Sequence, residues 1–160
     1  MTIQEHLAQH LRQVHFGGNW TGVDLKSKLE DLPWQQATSR DRSSHSIATL
    51  VFHINYYVSA VAKVFEGGPL DAHDRDSFNS PPIRSREAWN ALLENTWAEA
   101  ELLAGLIEQM PENQLWETFV SETYGTYYRN IAGLVEHCHY HLGQIALIRN
   151  QIENTRSADD

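Results

Sequence analysis

The sequence predicts an all-α fold, a four-helix bundle with a short extra helix between helices 1 and 2. Four stretches carry apolar residues at three- and four-residue steps, and no stretch of any length alternates apolar and polar residues as a half-buried strand would. Amphipathic helices bury their apolar stripes against one another, so four of them favour a bundle. With 160 residues, 41% of them hydrophobic, we expect one domain at 1–154 and a frayed polar tail at 155–160.

The first predicted helix spans about residues 3–16. It follows a capping-box pattern formed by Thr2 and Glu5, in which each residue can cap the other's backbone N–H. A short amphipathic helix is predicted within 19–34, because its leucines follow helical spacing until Pro33 ends the pattern. We expect this short helix to close one end of the core.

The second and third long helices are predicted on either side of a loop. The second helix runs from about Ser46 to the glycine pair at 67–68, which is a typical stop signal. Segment 69–83 contains three prolines and several Asp, Asn and Ser residues, which indicates a loop, and loops of this length often carry function. The third helix begins after Ser85 and ends near Met110.

The last part of the chain is predicted to be irregular and then helical. Residues 111–126 lack helical periodicity, with some extended character expected at 116–120. The fourth helix then runs from about Tyr127 to Glu153, with an apolar stripe at helical spacing. This helix also holds the residues that point to function.

Charge and composition exclude several classes of partner. The formal charge is −9, and the 12 basic residues are scattered rather than clustered, which disfavours nucleic acid and anionic membrane surfaces. The chain has one cysteine, its first residues lack the apolar core of a signal peptide, and no run reaches transmembrane length. We therefore expect a cytoplasmic protein.

The stretch "EHCHYHLGQIALIRNQ" places histidines at 137, 139 and 141 within the fourth helix. At about 100° per residue, His137 and His141 lie about 40° apart, whereas His139 lies about 200° from His137. The outer pair can therefore point two rings at one metal ion, while His139 is expected at the surface. Spacing alone leaves open a second interpretation, an exposed or hydrogen-bonded pair without metal.

A third ligand is needed, because catalytic zinc sites typically use three protein ligands and leave one position open. His53 is the best candidate, since it lies midway along the second helix at the edge of its apolar stripe. The predicted site is therefore His53, His137 and His141 on a divalent transition metal. We expect zinc or nickel, although imidazole also suits iron and copper.

The remaining histidines are expected at the surface. His6 and His10 repeat the four-residue spacing, but His6 lies well off the apolar stripe of the first helix. His15, His45 and His73 lie near helix ends or in loops, with no spacing that recruits them to a site.

Other chemistries fit this helix less well. A zincin would need Glu where Cys138 stands, and a carboxylate-bridged di-iron bundle would need a second Glu-x-x-His element beside Glu136 and His139. Cys138 continues the apolar stripe, which favours a buried small hydrophobe over a nucleophile. Gly143 suggests close backbone packing. Gln144 could hydrogen-bond a ligand or a partner helix.

These motifs together resemble a known family. "HYHLGQI", preceded by His137 four positions before His141, is similar to the H-x-x-x-H-x-G-Q signature in the last helix of the DinB/YfiT-like superfamily. "SIATLVFHINYY" resembles the second helix of that superfamily. The resemblance covers nearly the whole chain, including "NWTGVDLKSKLEDL" and "GGPL". It implies an up-down-down-up bundle, a divalent metal held by His53, His137 and His141, and a homodimer.

Two hypotheses of function follow. Some members of that superfamily are thiol-dependent transferases and others resemble a mycothiol-dependent isomerase, which implies a metal that activates a low-molecular-weight thiol; metal-assisted hydrolysis is the second choice. Loop 69–83, with Asp71, His73, Asp74 and Asp76, is expected at the mouth of the site, and spacing assigns no general base. The alternative is a non-catalytic metal-binding or structural dimeric bundle.

Overall fold

The computed structural model describes residues 1–40 and 45–159. Within these ranges the fold is all-α: no residue lies in a strand, and one isolated antiparallel bridge joins Thr118 to Thr126. The helices of the described residues are, in chain order, α1 (Ile3–Phe16), α2 (Leu25–Leu29), α3 (Trp34–Ala37), α4 (Ile47–Phe65), α5 (Asp74–Ser77), α6 (Arg86–Gln109), a 3₁₀-helix (Glu112–Trp116) and α7 (Tyr127–Asp159).

The four long helices α1, α4, α6 and α7 match the four predicted from periodicity. The short helix predicted within 19–34 is α2. The one-turn helix α3, which follows Pro33, was not predicted, and the predicted loop 69–83 contains the one-turn helix α5. The extended character expected at 116–120 is limited to the single bridge. Helix α7 continues beyond the predicted end near Glu153; the tail at 155–160 lies partly outside the described residues, and its fraying stays a prediction.

Side-chain caps fix where the long helices begin. In the capping box of α1, the Glu5 N–H donates to Thr2 Oγ1 at 3.2 Å and the Thr2 N–H donates to Glu5 Oε2 at 2.7 Å. Ser46 and Ser85 cap α4 and α6 in the same way, each accepting from the N–H three residues later at 3.2 Å. Each such cap stabilises its helix by about 1 kcal/mol, which explains why the sequence signals located these starts.

The apolar stripes of the long helices form one core, and α2 closes its end. Fully buried side chains in it include Leu11, Leu25, Leu29, Ile47, Ile54, Leu103, Ile107 and Ile145. Burying each side chain of this size stabilises the fold by roughly 1.5–3 kcal/mol. The prediction that no run reaches transmembrane length is wrong for helix α4, which is long and apolar enough to cross a membrane, with a mean hydropathy of 1.3. However, 72% of that window is buried inside the protein, as in a core helix.

Helices α1 and α6 run antiparallel. Near the start of α1, Gln4 Nε2 donates to the Met110 carbonyl just after the end of α6. At the other end of α1, the Phe16 ring packs against Trp97, with the ring centroids 5.7 Å apart. The start of α1 thus meets the end of α6, and the end of α1 meets an earlier part of α6, so the two helices run in opposite directions.

Helices α4 and α7 also run antiparallel, and their pairing positions the candidate site. The Phe65 ring at the end of α4 contacts Tyr127 at the start of α7, with centroids 5.3 Å apart. Farther along, the His53 ring lies 4.5 Å from the His141 ring, centroid to centroid. The middle of α4 therefore faces the middle of α7, where the sequence places its histidines.

Candidate metal centre

The three predicted ligands come together in the structure. His53 projects from α4, and His137 and His141 project from α7; one ligand atom from each can be chosen so that all three lie within 4.8 Å of one another. The Nε2 atoms of His53 and His137 are 3.0 Å apart. Ligands of a tetrahedral zinc bound at about 2.0–2.1 Å lie about 3.3 Å apart, so this group could hold a metal ion.

The spacing on α7 acts as predicted. The rings of His137 and His141 lie with centroids 4.5 Å apart, on the face that meets α4. His139 is not part of the group and is partly exposed. Cys138 is fully buried, as predicted for a small hydrophobe, and burial raises the pKa of its thiol to about 12.

His53 is held by a hydrogen bond to helix α5. Its Nδ1 lies 3.0 Å from Ser77 Oγ, and the Ser77 hydroxyl donates to the Asp74 carbonyl at 2.8 Å. Because that hydroxyl proton is already used, Ser77 can only accept from His53, so His53 Nδ1 carries the proton. The lone pair of His53 is then on Nε2, the atom directed at His137.

His141 is oriented in the same way by Gln144. Its Nδ1 lies 2.7 Å from the side-chain oxygen of Gln144, which can only accept a hydrogen bond, so Nδ1 carries the proton and Nε2 the lone pair. Gln144 was expected to hydrogen-bond either a ligand or a partner helix. In the structure its side chain hydrogen-bonds and orients His141, one of the three candidate metal-binding residues. Hydrogen bonds of this kind are typical of metal-binding histidines.

The nitrogen atoms of His137 also show whether the three histidines suit a metal ion. Its Nδ1 is buried and has no hydrogen-bond partner among the described residues, while its Nε2 faces His53 Nε2 at 3.0 Å. Because the lone pair of His53 is on Nε2, this contact without metal is a hydrogen bond that the His137 Nε2–H donates to His53 Nε2. A metal ion could take the place of that proton if the His137 proton moved to Nδ1, and three imidazole nitrogens are a donor set that suits a divalent transition metal.

The environment keeps the three rings neutral. Burial lowers the pKa of His53 to about 4, and the neighbouring His141 contributes to the same direction. Burial, together with the charges of His141 and His53, lowers the pKa of His137 to about 4, and burial also lowers the pKa of His141. Neutral imidazole is the form that binds metals, so no proton need be displaced from these rings at neutral pH.

A cleft opens on one side of the histidines. Its volume is about 460 Å³, and His53, His137, Tyr57 and Asp74 line the end next to the candidate metal site. The Tyr57 hydroxyl donates to the Asp74 carboxylate, and the Tyr57 ring lies 5.2 Å from the His53 ring and 5.1 Å from the His137 ring. Burial and the Asp74 hydrogen bond raise the pKa of Tyr57 to about 12, so its hydroxyl stays protonated.

The predicted mouth of the site is formed by only part of loop 69–83. Asp74 lines the cleft, and His73 lines an adjoining hollow of about 720 Å³ that shares Tyr57 and Asp74 with it. Asp71 lies outside both linings, with its Oδ1 atom 3.4 Å from His73 Nε2. Asp76 is also outside both linings.

One surface prediction for the histidines is wrong. His15 is fully buried, because its Nδ1 donates to the Leu11 carbonyl at 2.8 Å and so allows the ring to enter the core. His45 is partly exposed, and its ring stacks on Phe78 with centroids 4.4 Å apart. His6, His10 and His73 are exposed as predicted.

Sequence reasoning missed several residues of this region. Phe78 stacks on His53 at 3.9 Å between centroids, and Ser77 orients that histidine, but both lie within segment 69–83, which has no helical periodicity in the sequence. Gly143 is exposed, and a Cβ added there would meet nothing within 4 Å among the described residues, so the predicted close packing is absent within the chain. The one sequence feature that favours a helix in this loop is an Asp at the first position of α5, Asp74, because acidic residues stabilise the first turn of a helix.

Comparisons of this chain with protein-family models, with curated proteins and with solved structures found no match. Membership of the DinB/YfiT-like superfamily therefore stays a prediction from the motifs.

Proposed function

We propose that this protein is a DinB/YfiT-like, metal-dependent thiol transferase that holds zinc or nickel through His53, His137 and His141. The observation that carries the proposal is the convergence of three neutral imidazoles, two of which, His53 and His137, line an open cleft. Two of the rings have their outer nitrogens committed to Ser77 and Gln144, which leaves the inner nitrogens for a metal. Three protein ligands leave room for a further ligand from the cleft.

A divalent metal bound here would supply a Lewis acid that lowers the pKa of a thiol or a water molecule. In thiol transfer, the sulfur forms a bond to an electrophilic carbon, and the leaving group departs with the electron pair of the bond that breaks. The proton from the thiol passes to the Asp74 carboxylate, which Tyr57 holds at the metal end of the cleft. Asp74 thus fills the role of base that sequence spacing left unassigned.

The thiol must come from a small molecule. Cys138 is the only cysteine of the chain, and it is fully buried with its pKa raised to about 12 by burial. A thiol with that pKa supplies almost no thiolate at neutral pH. A low-molecular-weight thiol that enters the cleft is therefore the proposed co-substrate.

We further propose an up-down-down-up bundle that forms a homodimer in the cytoplasm. The antiparallel pairs α1/α6 and α4/α7 are two of the relations that this helix order requires. Tyr140 and Leu147 support a dimer, because they are 65% and 59% exposed and lie seven residues apart on one face of α7. Exposed Gly143 lies between them in sequence and would allow a second copy to approach closely.

The first experiment is elemental analysis of purified protein beside three variants. We expect nearly one zinc or nickel per chain in the wild type, and its loss in His53→Ala and His137→Ala. His10→Ala is the matched control, because His10 is exposed on α1 and should leave the metal in place. Full metal content in His137→Ala would rule out this ligand set.

The second experiment tests turnover with metal-loaded protein, a panel of small thiols and a panel of alkyl and epoxide electrophiles. We expect thioether formation in the wild type and slower formation in Asp74→Asn, while Asp71→Asn, outside the cleft, keeps the wild-type rate. Absence of turnover across both panels would remove the support for transferase activity.

A structural metal module is the second candidate function. The hydrogen bond from His53 to Ser77 favours it, because a metal on His53 and α7 would tie α4, α5 and α7 together. X-ray absorption spectroscopy separates the two candidates. A closed four-ligand site that excludes added thiol would favour the module, and a site that gains sulfur when thiol is added would favour the transferase.

A further inference from the structure

The end of the cleft away from the histidines carries a cationic side chain, Arg129. The lining of the 460 Å³ cleft includes His53 and His137 at one end and Arg129 and Asn130 on α7 at the other. Arg129 and His137 are eight positions apart on α7, which corresponds to about 12 Å along the helix axis. Both ends of the cleft are therefore built on one rigid helix.

Gly133 forms an open floor between these two ends. It lies one turn from His137 on the cleft side of α7, and a Cβ added there would meet nothing within 4 Å. A larger side chain at this position would occupy the space that joins Arg129 to the candidate metal site. The absence of a side chain leaves a continuous groove for an elongated ligand.

Arg129 is positioned by the turn that precedes α7. Its Nη1 donates to the Tyr124 carbonyl at 3.2 Å, and its Cδ lies against Gly125, where a Cβ would come within 3.0 Å. Asn130 holds the same turn, because its Nδ2 donates to the carbonyls of Tyr124 and Thr126 at 3.0 and 2.8 Å. The remaining guanidinium N–H groups of Arg129 stay available for a ligand.

The charge of Arg129 is not neutralised within the chain. Arg129 forms no ion pair with any carboxylate of the described residues, although the whole chain has a formal charge of −9. The cleft carboxylate, Asp74, is hydrogen-bonded by Tyr57 at the metal end. Arg75, in the adjoining hollow, pairs with Asp76 at 3.5 Å.

We propose that Arg129 binds a carboxylate of the substrate, so that the cleft selects an elongated ligand with a metal-seeking group at one end and a carboxylate at the other. This inference rests on the proposed function for the metal end. A planar guanidinium matches a carboxylate in shape and charge. A single cation that shares its cleft with Asp74 suits a monoanion better than a dianion.

The test compares two thiols that differ only in their far end, 6-mercaptohexanoate and 6-mercaptohexanol. Both are titrated into cobalt-loaded protein, and the thiolate-to-cobalt absorption band gives the dissociation constant of each. In the wild type we expect the acid to bind about tenfold more tightly than the alcohol, as for a charge-assisted hydrogen bond that is partly exposed to solvent. This preference should shrink at high ionic strength, because salt screens exposed charges.

The variant Arg129→Gln keeps a donor for the Tyr124 carbonyl but removes the charge, and it should bind both thiols equally. Arg86→Gln is the matched control, since Arg86 is an exposed arginine in the first turn of α6, away from the cleft, and it should keep the tenfold preference. Equal binding of the two thiols by the wild type, or an unchanged preference in Arg129→Gln, would overturn the proposal while the metal site stands.

A second experiment tests Arg129 independently of thiol binding to the metal. If the neutral thiol gives no cobalt band, the proposed function fails, and hexanoate is then titrated into the protein while the amide NMR signals of Gly133 and Asn130 are followed. Saturable shifts in the wild type that are absent in Arg129→Gln would support the anion site alone. No shift in the wild type would overturn it.

Discussion

Replacing His15 by leucine should make the protein more resistant to acid. His15 is fully buried near the end of α1, its Nδ1 donates to the Leu11 carbonyl, and its Nε2 is buried without a partner among the described residues. Burial lowers its pKa from 6.5 to about 4. Protonating this ring inside the core therefore costs free energy that the unfolded chain does not incur.

The size of the effect follows from proton linkage. Below pH 6.5 the unfolded chain binds a proton at His15 and the folded protein does not, so the free energy of unfolding falls as the pH falls toward 4. Above about pH 7.5 both states leave the ring neutral, and His15 causes no loss of stability. Between about pH 7.5 and about pH 4.5 the loss due to His15 alone is about 2.5 kcal/mol, because each of the two pH units between the unfolded pKa of 6.5 and pH 4.5 contributes about 1.4 kcal/mol and the range above 6.5 contributes little.

The assay is urea unfolding of the wild type and His15→Leu at both pH values, with a chelator present so that metal release does not contribute. His53 and His137 also have lowered pKa values, but both proteins contain them, so their contribution cancels in the comparison. We expect the wild type to lose about 2.5 kcal/mol more than the variant between the two pH values. Equal losses in the two proteins would refute the reasoning.

Three further predictions concern the ligand shell and the core. Gln144→Leu and Ser77→Ala should each weaken metal binding by about 10- to 100-fold in chelator competition, because they free the outer nitrogens of His141 and His53, while Gln151→Leu at an exposed position of α7 should change nothing. Ile54→Ala should lower the free energy of unfolding by about 3 kcal/mol in urea, since Ile54 is fully buried; a loss below about 1 kcal/mol would contradict its place in the core. Gly143→Ala should stabilise the isolated chain by about 1 kcal/mol, because the added Cβ meets nothing, and destabilisation that grows with protein concentration would place Gly143 in a dimer contact.

The ends of the long helices could be predicted because they depend on nearby residues. The capping box of Thr2 and Glu5 and the caps at Ser46 and Ser85 are local patterns, and each forms the hydrogen bonds that the pattern predicts. Short elements were predicted less well. Helix α5 is one turn long, so no apolar period distinguishes it from a loop.

In the candidate site too, the residues set by local helical spacing could be predicted, and those set by contacts across the fold could not. Helical spacing alone brings His137 and His141 to one face, and the angle of His53 on its own helix selected it as the third member. Ser77 could not be predicted, because its contact with His53 joins residues 24 apart through a loop. The burial of His15 was missed because its backbone hydrogen bond removes part of the cost that makes an interior histidine unexpected.

The burial of Cys138 also gives the protein a built-in reporter of its own opening. The chain has one thiol, and in the folded state that thiol is fully buried with a raised pKa, so a chromogenic disulfide reagent should find nothing to react with. Colour in an assay of thiol consumption then comes from the added thiol alone, without a background from the protein. When the fold opens, Cys138 reacts and one equivalent of chromophore is released per chain. The rate of that reaction measures how often α7 leaves the core.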